Sequence, residues 1–340
     1  MKTSDKHLSL VVDLYGCPNR CRHCWLGHMP NRRMEEGADE WIFQYFEPFF
    51  DNITFYSWLR EPDFCENYRE RWERDRHLSR GIAPRRFELG SFWRIVRDRQ
   101  YVKFLKEVGV QKLQLTFFGL ERYTDEYVGR KGAFRELLQT TEILIENEIA
   151  PRWQAFINEE NKEEVAGLLS LIEERGLYER CAAFGFDFSF FVHAGSCDGE
   201  NRKLYGIRIN KQDIPRELIP YFPNYDEQKP EGEWCRQLKE EKGCVIYHNE
   251  EDIVLNISNT YDVFFNFTHM TPNWKIGNLK RDDRDELIRR VLEEDILALN
   301  LAKNITLGEL VGRYGDFCSD KIFSLEDYKS YLLNCYVDGQ

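Results

Sequence analysis

The sequence lacks three features that would place it in common protein classes. It has no excess of positive charge, since 47 lysine and arginine residues face 59 aspartate and glutamate residues, for a formal net charge of −12. That balance argues against a general nucleic-acid-binding protein, whose surface must attract phosphates. No apolar stretch approaches the roughly 20 residues that a membrane-spanning helix needs, and no apolar region with a small-residue cleavage site follows Met1. We therefore expect a cytoplasmic protein that binds neither nucleic acid nor membranes.

Internal repeats and low-complexity segments are absent as well, so the chain reads as an ordinary globular protein. Its 340 residues suggest one large domain or a domain with an appendage. A hydrophobic fraction of 42%, including 14% aromatic residues, is enough for a sizeable core. There are ten cysteines, and in a reducing compartment we expect them to be metal ligands, reactive thiols or core residues rather than disulfides.

Three of the cysteines lie close together near the N-terminus. Cys17, Cys21 and Cys24 have the spacing C-x3-C-x2-C and follow the apolar run Leu8–Leu14, which predicts a first strand. Thiolates select iron–sulfur clusters, zinc or Cu(I). A closed structural site usually has four ligands, whereas three thiolates satisfy three irons of a [4Fe-4S] cluster and leave the fourth iron open. A zinc site, or three unrelated buried cysteines, is the alternative interpretation.

This triplet, with its place after a first strand, resembles that of the radical S-adenosylmethionine (SAM) enzymes. The resemblance implies that Cys17, Cys21 and Cys24 ligate a [4Fe-4S] cluster whose open iron is chelated by the amino and carboxylate groups of SAM. It also implies reductive cleavage of SAM to methionine and a 5′-deoxyadenosyl radical, which abstracts a hydrogen atom from the substrate. The electron would come from an external donor such as flavodoxin or ferredoxin.

Short apolar runs alternate with helical patterns along the first 200 residues. The predicted strands are Leu8–Leu14, Asn52–Tyr56, Arg86–Leu89, Lys112–Phe118, Arg152–Ile157 and Ala183–Phe190. The predicted helices lie near Gly37–Phe50, Asp63–Leu78, Tyr101–Val108, Phe134–Asn147 and Lys162–Arg175. This alternation implies an α/β fold with a parallel sheet. We predict a partial (β/α)6 radical SAM barrel in residues 1–200 and a smaller α+β appendage in residues 201–340, with the site at the carboxyl ends of the strands.

The second predicted strand leads into Leu59-Arg60-Glu61-Pro62. Radical SAM enzymes commonly carry Gly-Gly-Glu-Pro there, and the resemblance implies that Glu61 accepts a hydrogen bond from the SAM amino group. Glycines allow a backbone to approach a ligand closely, so Leu59 and Arg60 imply that this edge of the pocket is built differently. The alternative is that Glu61 is only a carboxylate at a helix start.

The segment Gly129-Arg130-Lys131-Gly132-Ala133-Phe134 resembles one found in the peptide-maturing and sulfatase-maturing branch of the family. Members often place an arginine before the first glycine to pair with the SAM carboxylate. Here that position is Val128, and Arg130 is the candidate substitute. Three further candidates for binding SAM lie on or just after neighbouring strands, although a single polar residue there is as often structural. They are Thr116, which aligns with a ribose-contacting position, Gln154 and Asn158.

A polar loop follows the sixth predicted strand and contains His193, Cys197, Asp198 and Glu200. Loops at this end of barrel strands face substrates, so these four residues are the catalytic candidates. Some radical SAM epimerases return a hydrogen atom to the substrate radical from a cysteine thiol. The resemblance suggests that role for Cys197, with an incidental thiol as the alternative.

The C-terminal part resembles the SPASM/Twitch appendage of many radical SAM enzymes. The resemblance rests on a predicted hairpin formed by 253–257 and 261–267, on Ile276-Gly277-Asn278-Leu279, and on the charged helix Asp282–Glu294. In that family a cysteine closing the hairpin ligates an auxiliary cluster, but Phe265 or Asn266 stands there. Four other cysteines could hold one cluster or one zinc, in a spacing that fits no known pattern: Cys235, Cys244, Cys318 and Cys335. Cys65 and Cys181 are expected in the core.

The branch resemblance suggests a peptide or natural-product substrate and a C–H modification such as epimerisation, cross-linking or dehydrogenation. The short segment before Leu8 leaves no room for a peptide-recognition or cobalamin domain, so we expect a separate carrier or direct groove binding and disfavour cobalamin-dependent methylation. A small sugar or nucleoside substrate is the runner-up. The alternative of another class is a non-catalytic iron–sulfur or zinc protein on a relic barrel.

Overall fold

The computed structural model of the protein describes residues 4–24, 26, 29–245, 252–265 and 270–340. Helices and short strands alternate over these residues, and the predicted α/β class is confirmed. The strands are β1 (Ser4–Val12), β2 (Phe50–Tyr56), β3 (Lys112–Phe117), β4 (Ala150–Phe156), β5 (Ser189–His193), β6 (Lys229–Pro230), β7 (Asp252–Ile257), β8 (Asp262–Phe264), β9 (Lys275–Asn278) and β10 (Ile322–Phe323).

The helices surround these strands and are mostly short. They are α1 (Ala38–Phe46), α2 (Tyr68–Leu78), α3 (Phe92–Arg97), α4 (Arg99–Glu107), α5 (Glu121–Val128), α6 (Ala133–Glu146), α7 (Lys162–Glu174), α8 (Leu177–Ala182), α9 (Glu231–Leu238), α10 (Arg284–Glu293), α11 (Leu297–Ala302), α12 (Leu307–Tyr314) and α13 (Leu325–Asp338). Irregular 3-10 turns fill much of 199–227, where the sequence is rich in proline. No helix in the described part of the chain is both long and apolar enough to cross a membrane.

Two sheets carry the fold. In the described residues the first has the order β2-β1-β7-β8-β9, and the second has the order β3-β4-β5. β1 is parallel to both neighbours, and β3, β4 and β5 are parallel to one another. Parallel strands bring their carboxyl ends to one edge, where barrel enzymes build their sites. The loops that carry the candidate residues leave these ends.

The third predicted strand, Arg86–Leu89, is wrong. The segment is a turn in which Phe87 and Glu88 have φ of 53° and 60°, in the left-handed region that strands do not use. Arg86 holds it there, because its guanidinium pairs with Asp63 at 3.0 Å and lies over the Trp72 ring at 3.8 Å. The Gln114 amide nevertheless donates to the Glu88 carbonyl at 2.8 Å. The turn therefore stands beside β3 where a strand was expected.

Other boundaries differ from the prediction by a few residues. The sixth predicted strand is β5 at Ser189–His193, because residues 183–185 cap the end of α8 instead of extending. The helix predicted at 37–50 ends at Phe46, and the one predicted from Asp63 begins at Tyr68. In the C-terminal hairpin, β7 and β8 are present, and the predicted positions Asn266 and Phe267 lie outside the described residues.

The C-terminal hairpin extends the sheet of the N-terminal half. β7 pairs with β1 along 7–12, so that Leu8, Leu10 and Val12 lie beside Ile253, Leu255 and Ile257. These side chains enter one large buried cluster that also contains residues from α10, α12 and α13. The division at residue 200 remains a prediction. In the structure, residues from both sides of it share a sheet and a core.

Candidate functional site

The cysteine triplet lies in the loop that joins β1 to α1, residues 13–37, here termed the cysteine loop. Cys17, Cys21 and Cys24 are all partly buried. Burial raises the pKa of the Cys17 thiol, and it raises the pKa of Cys21 to about 12. The charge of Glu61 raises the pKa values of Cys17 and Cys21 further, and the charge of Cys24 acts in the same direction. The three sulfurs and the Glu61 carboxylate therefore share one neighbourhood.

Backbone amides point at two of the sulfurs. The Asn19 amide donates to Cys17 Sγ and the Leu26 amide donates to Cys24 Sγ, each at 3.4 Å. Such bonds favour the thiolate, which is the form that binds metal. Within the described residues no three Cys, His, Asp or Glu side chains converge on a single ion position. A cubane cluster does not require that convergence, because each thiolate binds a different iron, and the donor set fits a [4Fe-4S] cluster.

The end of α5 supports the cysteine loop from one side. The Arg20 amide donates to the Val128 carbonyl at 3.0 Å, and the Arg22 amide donates to Tyr127 at 2.8 Å. Gly129 has φ of +70°, and a Cβ placed on it would lie 2.6 Å from the Arg20 carbonyl oxygen. Only glycine therefore allows the two backbones to meet this closely. The Gly129-Arg130 segment, predicted to bind SAM, is also part of the scaffold of the triplet.

Glu61, the predicted contact of the SAM amino group, lies beside Cys17. Its Oε2 is 4.0 Å from Cys17 Sγ, and its Oε1 accepts a 2.6 Å hydrogen bond from the Ser91 hydroxyl. Burial raises the pKa of Glu61 to about 7, although Ser91 and the charge of Arg130 lower it. Ser91 was missed by sequence reasoning. It is recognisable as the N-cap of α3, since it accepts from the Arg94 amide, but nothing in the sequence links it to Glu61.

Arg130 reaches the same site from the opposite side. Its Nε donates to Asn19 Oδ1 at 2.9 Å, and its Nη1 lies 2.7 Å from a Glu136 carboxylate oxygen. Its Nη2 is buried and has no hydrogen-bond partner. The charge of Arg130 acts on both Glu61 and Cys21. An unpartnered guanidinium nitrogen this close to the triplet fits the carboxylate of a bound ligand.

Arg60 occupies one of the two positions where the resemblance led us to expect glycine. Arg60 makes a two-pronged ion pair with Asp13, with Nη2 to Oδ2 at 2.6 Å and Nε to Oδ1 at 3.0 Å. Both side chains are almost fully buried. Burial raises the pKa of Asp13 despite the opposing effect of Arg60. Arg60 also lowers the pKa of Cys24, which burial raises.

The inner face of the second sheet carries a connected row of polar side chains. The Gln114 amide donates to Gln154, and Gln154 in turn contacts Nε2 of His193. Thr116, the ribose candidate, is half-buried on β3 and lies in register with Gln154. Burial lowers the pKa of His193 to about 4, with the charge of Arg208 acting in the same direction. Three predicted residues, Thr116, Gln154 and His193, therefore face the barrel interior together.

Asn158, another predicted SAM contact, is engaged in structural hydrogen bonds. Its Nδ2 donates to the Tyr127 hydroxyl at 2.7 Å. Its Oδ1 accepts from the amides of Glu160 and Asn161 at 2.9 and 3.2 Å, which shapes the turn before α7. Its role in ligand binding stays a prediction.

A small cavity connects the cysteine loop with the loop after β5. Its walls include His23, Asn158, Cys197, Asn201 and Arg208. The His23 ring packs on Phe118 and Phe156 at 4.7 and 4.8 Å, and its Nδ1 has no hydrogen-bond partner. Burial lowers the pKa of His23 to about 4, so the ring is neutral near pH 7. Its place between Cys21 and Cys24 was a signal that sequence reasoning did not use.

Cys197 is fully buried in the wall of this cavity. Arg208 donates to its sulfur at 3.4 Å and to the Gly195 carbonyl at 2.7 Å. Burial raises the pKa of Cys197, and Arg208 partly offsets this effect. Arg208 was not among the predicted residues, because it lies in an irregular segment with no pattern that marks it.

The other two catalytic candidates lie next to this cavity in sequence but are not part of its wall. Asp198 is buried and directly precedes the 3-10 helix Gly199–Ile207, and Glu200 is half-buried in the first turn of that helix. Both side chains interact with other groups of the protein. Their catalytic roles stay predictions.

The four C-terminal cysteines are distributed over different elements. Cys235 on α9 is buried and lies 2.9 Å from the Tyr328 hydroxyl, whereas Cys335 on α13 is partly buried. Cys244 and Cys318 are exposed. Among the described residues, none of these cysteines belongs to a group of three or more side chains that could hold one metal ion. Cys65 and Cys181 are buried in the core, as predicted.

Comparison with known proteins was made against families, curated proteins and solved structures. No family model and no curated protein matches the chain. Native anSMEcpe with bound AdoMet and the Cp18Cys peptide matches with a TM-score of 0.51 at 12% identity, over 98% of this chain and 99% of that chain. The same enzyme with bound AdoMet and the Kp18Cys peptide gives 0.50 at 13% identity, over 98% and 99%.

A third similar structure is Streptococcus suis SuiB bound to its precursor peptide SuiA. It has a TM-score of 0.48 at 12% identity and covers 95% of this chain and 76% of that chain. Both anSMEcpe and SuiB are radical SAM enzymes. From the two anSMEcpe matches, the chain has the fold of the radical SAM enzymes, with its cysteine triplet in the loop after the first barrel strand.

Proposed function

We propose that the protein is a radical SAM enzyme that abstracts a hydrogen atom from a peptide or natural-product substrate. One observation supports this most strongly: Glu61 Oε2 lies 4.0 Å from Cys17 Sγ, the charge of Glu61 acts on Cys17 and Cys21, and Arg130, which has an unpartnered nitrogen, acts on both Glu61 and Cys21. A [4Fe-4S] cluster bound by three thiolates supplies an open iron at which SAM is reductively cleaved to a 5′-deoxyadenosyl radical.

The side chains around the triplet have the chemistry to bind a zwitterionic amino acid group. Glu61 Oε2 faces Cys17 while Oε1 is held by Ser91, so that Oε2 is the atom available to an ammonium group. Arg130 Nη2 is the matching donor for a carboxylate. We assign Glu61 and Arg130 to these two groups of SAM. Thr116, Gln154 and Asn158 are further candidates around the remainder of the molecule.

In the proposed reaction, the barrel excludes water from the site. A carbon radical reacts with many partners, so this exclusion confines it to the intended C–H bond. Cys197 is the candidate donor of a returning hydrogen atom, with Arg208 fixing its sulfur. His193, Asp198 and Glu200 are the other candidates for contact with substrate.

A peptide substrate is favoured over a small sugar or nucleoside. The anSMEcpe structures contain AdoMet together with a peptide, and the Gly129–Phe134 segment resembles the same branch. Epimerisation, cross-linking and dehydrogenation are all compatible with the side chains present. The electron for the cleavage of SAM comes, in this proposal, from an external one-electron donor such as flavodoxin or ferredoxin.

The test is anaerobic reconstitution followed by assays of iron and of 5′-deoxyadenosine with SAM and dithionite. We expect about four irons per chain, the content of one [4Fe-4S] cluster, and formation of 5′-deoxyadenosine. Cys17→Ala, Cys21→Ala and Cys24→Ala should each abolish its formation, whereas Cys318→Ala, on an exposed loop, should leave it unchanged.

Three results would contradict the proposal. A triple-alanine variant that still cleaves SAM would remove the cluster assignment. A fully loaded wild-type protein that neither binds nor cleaves SAM would favour the non-catalytic iron–sulfur protein instead. A colourless protein that contains zinc would favour the zinc alternative.

A further inference from the structure

We propose that Asp13, Asn31, Arg60 and Asn259 form a clamp that positions Cys17, so that the C-terminal hairpin is a working part of the cysteine site. The role of the clamp in holding a cluster rests on the proposed function. The clamp itself is a set of hydrogen bonds among the described residues. Asn259 and Arg60 act through other residues and are therefore positioning residues.

The clamp begins at Cys17, whose backbone is held by one side chain. The Cys17 amide donates to Asn31 Oδ1 at 2.9 Å, and Asn31 Nδ2 donates back to the Cys17 carbonyl at 2.5 Å. Gly16 leaves room for this, because a Cβ on it would lie 2.1 Å from Asn31 Oδ1. The position of Asn31 therefore fixes the position of the first thiol.

Arg60 fixes the chain next to Asn31. Besides its paired bonds to Asp13, its Nη2 donates to the Pro30 carbonyl at 3.1 Å. Asp13 directly follows β1, and its own amide donates to the Ile257 carbonyl at 2.9 Å. Arg60 thus ties the far side of the cysteine loop to the strand from which the loop departs.

Asn259 reaches the same place from the C-terminal hairpin. Its Nδ2 lies within hydrogen-bond distance of three oxygens: Pro30 O at 2.6 Å, Asp13 Oδ2 at 2.9 Å and Arg32 O at 3.4 Å. Arg32 Nη2 donates in return to the Asn259 carbonyl at 3.1 Å. Asn259 is only 2% exposed. The residues on both sides of Asn31 are therefore bonded to a residue of the turn between β7 and β8.

The clamp also explains why glycines would not serve at 59–60 in this chain. A glycine at 60 would leave the Asp13 carboxylate buried without its cation, and an unpaired buried charge is strongly destabilising. It would also remove one of the two hydrogen bonds to the Pro30 carbonyl, leaving the one from Asn259. Arg60 supplies both bonds from one rigid planar group, which a lysine cannot do.

The test compares two clamp variants, Asn259→Ala and Arg60→Lys, with the control Asn278→Ala. Asn278 is equally buried, and its Nδ2 donates to Thr260 O at 2.9 Å and to Asp262 Oδ1 at 2.8 Å. It stabilises the same hairpin turn, and its hydrogen bonds among the described residues do not reach the cysteine loop. Two readouts are used: hydrogen exchange of the cysteine loop in the metal-free protein, and the rate of iron loss to a chelator from the reconstituted protein.

We expect faster exchange in the cysteine loop of both clamp variants, and iron loss accelerated roughly 10- to 100-fold, the usual effect of removing supports of metal ligands. Asn278→Ala should show wild-type values in both measurements. Equal behaviour of Asn259→Ala and Asn278→Ala would overturn the inference, because the effect would then come from the hairpin as a whole.

The result separates the clamp from the proposed function. If the wild-type protein binds iron but never cleaves SAM, the proposed function fails. The rate of iron loss and the hydrogen exchange of the cysteine loop still test the clamp in that case. If the wild-type protein binds no iron, exchange of the metal-free loop alone decides: faster exchange in Asn259→Ala than in Asn278→Ala supports the clamp, and equal exchange refutes it.

Discussion

Arg130 carries a buried hydrogen-bond donor without a partner. This donor is the best indication of the chemical group that the site would bind. Two of the Arg130 nitrogens are already engaged by Asn19 and Glu136, which fix the guanidinium in place. The third, Nη2, is buried and unpartnered. A buried donor without a partner is costly, so a bound carboxylate would relieve that cost at the same time as it is recognised.

Arg130→Gln should weaken SAM binding by roughly ten- to a hundredfold, because hydrogen bonds to charged groups contribute about 1.5–3 kcal/mol. Equilibrium binding of SAM to the reconstituted variant measures this. Iron content should stay near the wild-type value, since the three thiols remain.

Arg135→Gln is the matched control for Arg130. It removes an ion pair with Glu121 on the exposed face of α6, where pairs contribute little. An Arg130→Gln protein that binds SAM as tightly as Arg135→Gln does would show that the unpartnered nitrogen does not meet the ligand.

Asp39 gives a prediction for the dependence of stability on pH. Burial alone would raise its pKa, but hydrogen bonds from Arg74 and Arg71 outweigh this and place the pKa at about 2, below its ordinary value of 3.8. Because the folded-state value is the lower one, the stabilisation is complete above about pH 4 and is lost as the pH falls towards 2. Its size is about 2 kcal/mol.

Denaturant unfolding of wild type and Asp39→Asn between pH 2.5 and 6 measures this. The wild-type protein should be more stable at pH 6, and the difference should shrink below pH 4. A difference that stays constant across this range would mean that the carboxylate charge of Asp39 does not contribute.

At the scale of elements, the junction of α5 with the cysteine loop depends on a single glycine. Gly129→Ala must place a methyl group 2.6 Å from the Arg20 carbonyl oxygen, so the loop has to move. Gly132→Ala has a similar left-handed backbone, with φ of +84°, but its Cβ would meet nothing within 4 Å.

Both variants should lose about 1 kcal/mol of stability from the backbone conformation. Only Gly129→Ala should also bind less iron and lose SAM cleavage. Thermal unfolding and iron content of the two proteins, measured side by side, separate the effects. Equal iron content in both variants would show that the contact with Arg20 is not needed to form the site.

The elements that the sequence predicted well are those defined by local pattern. The strands β2, β3 and β4 and helix α6 lie within two residues of their expected bounds, because each has a continuous buried face and is followed by residues that end the element. β1 begins four residues before its expected start at Leu8. The segment Arg86–Leu89 failed because its conformation depends on the pairing of Arg86 with Asp63, 23 residues away. No local pattern contains that contact. The short helices α3 and α5 were missed because neither is long enough to show a clear amphipathic pattern.

The site shows the same limit at the scale of single residues. The triplet and Glu61 became candidates because their order along the chain is itself the signal. The partner of Arg60, Asp13, is 47 residues away, and Asn259 is 246 residues from Asp13. The sequence shows that the glycines before Glu61 are missing. Only the folded structure shows that Arg60 lies at that edge and pairs with Asp13.

At the scale of the whole molecule, the N- and C-terminal halves share a core. Leu8 and Leu10 on β1, Ile42 on α1 and Leu332 on α13 belong to the same buried cluster. Removal of residues 201–340 would expose this apolar surface and leave one edge of β1 unpaired.

The complete chain should therefore unfold in one cooperative transition, with equal van't Hoff and calorimetric enthalpies. A fragment of residues 1–200 should be recovered as aggregate. Calorimetry and size-exclusion chromatography test both statements. A monomeric, folded fragment would instead support two independent domains divided near residue 200.

The pairing of β1 with β7 also sets the order of events during synthesis. β1 and the cysteine loop leave the ribosome early, but β7 and Asn259 are translated about 245 residues later, an interval on the order of 10 to 50 s at ordinary elongation rates. Throughout that time the strand has only β2 beside it, and the three thiols stand in a loop whose second support does not yet exist. Metal delivered to the nascent chain would meet a loop free to adopt other arrangements. If the proposed function holds, cluster insertion would follow translation of the hairpin, because only then does a late segment of the chain secure the loop made near its start.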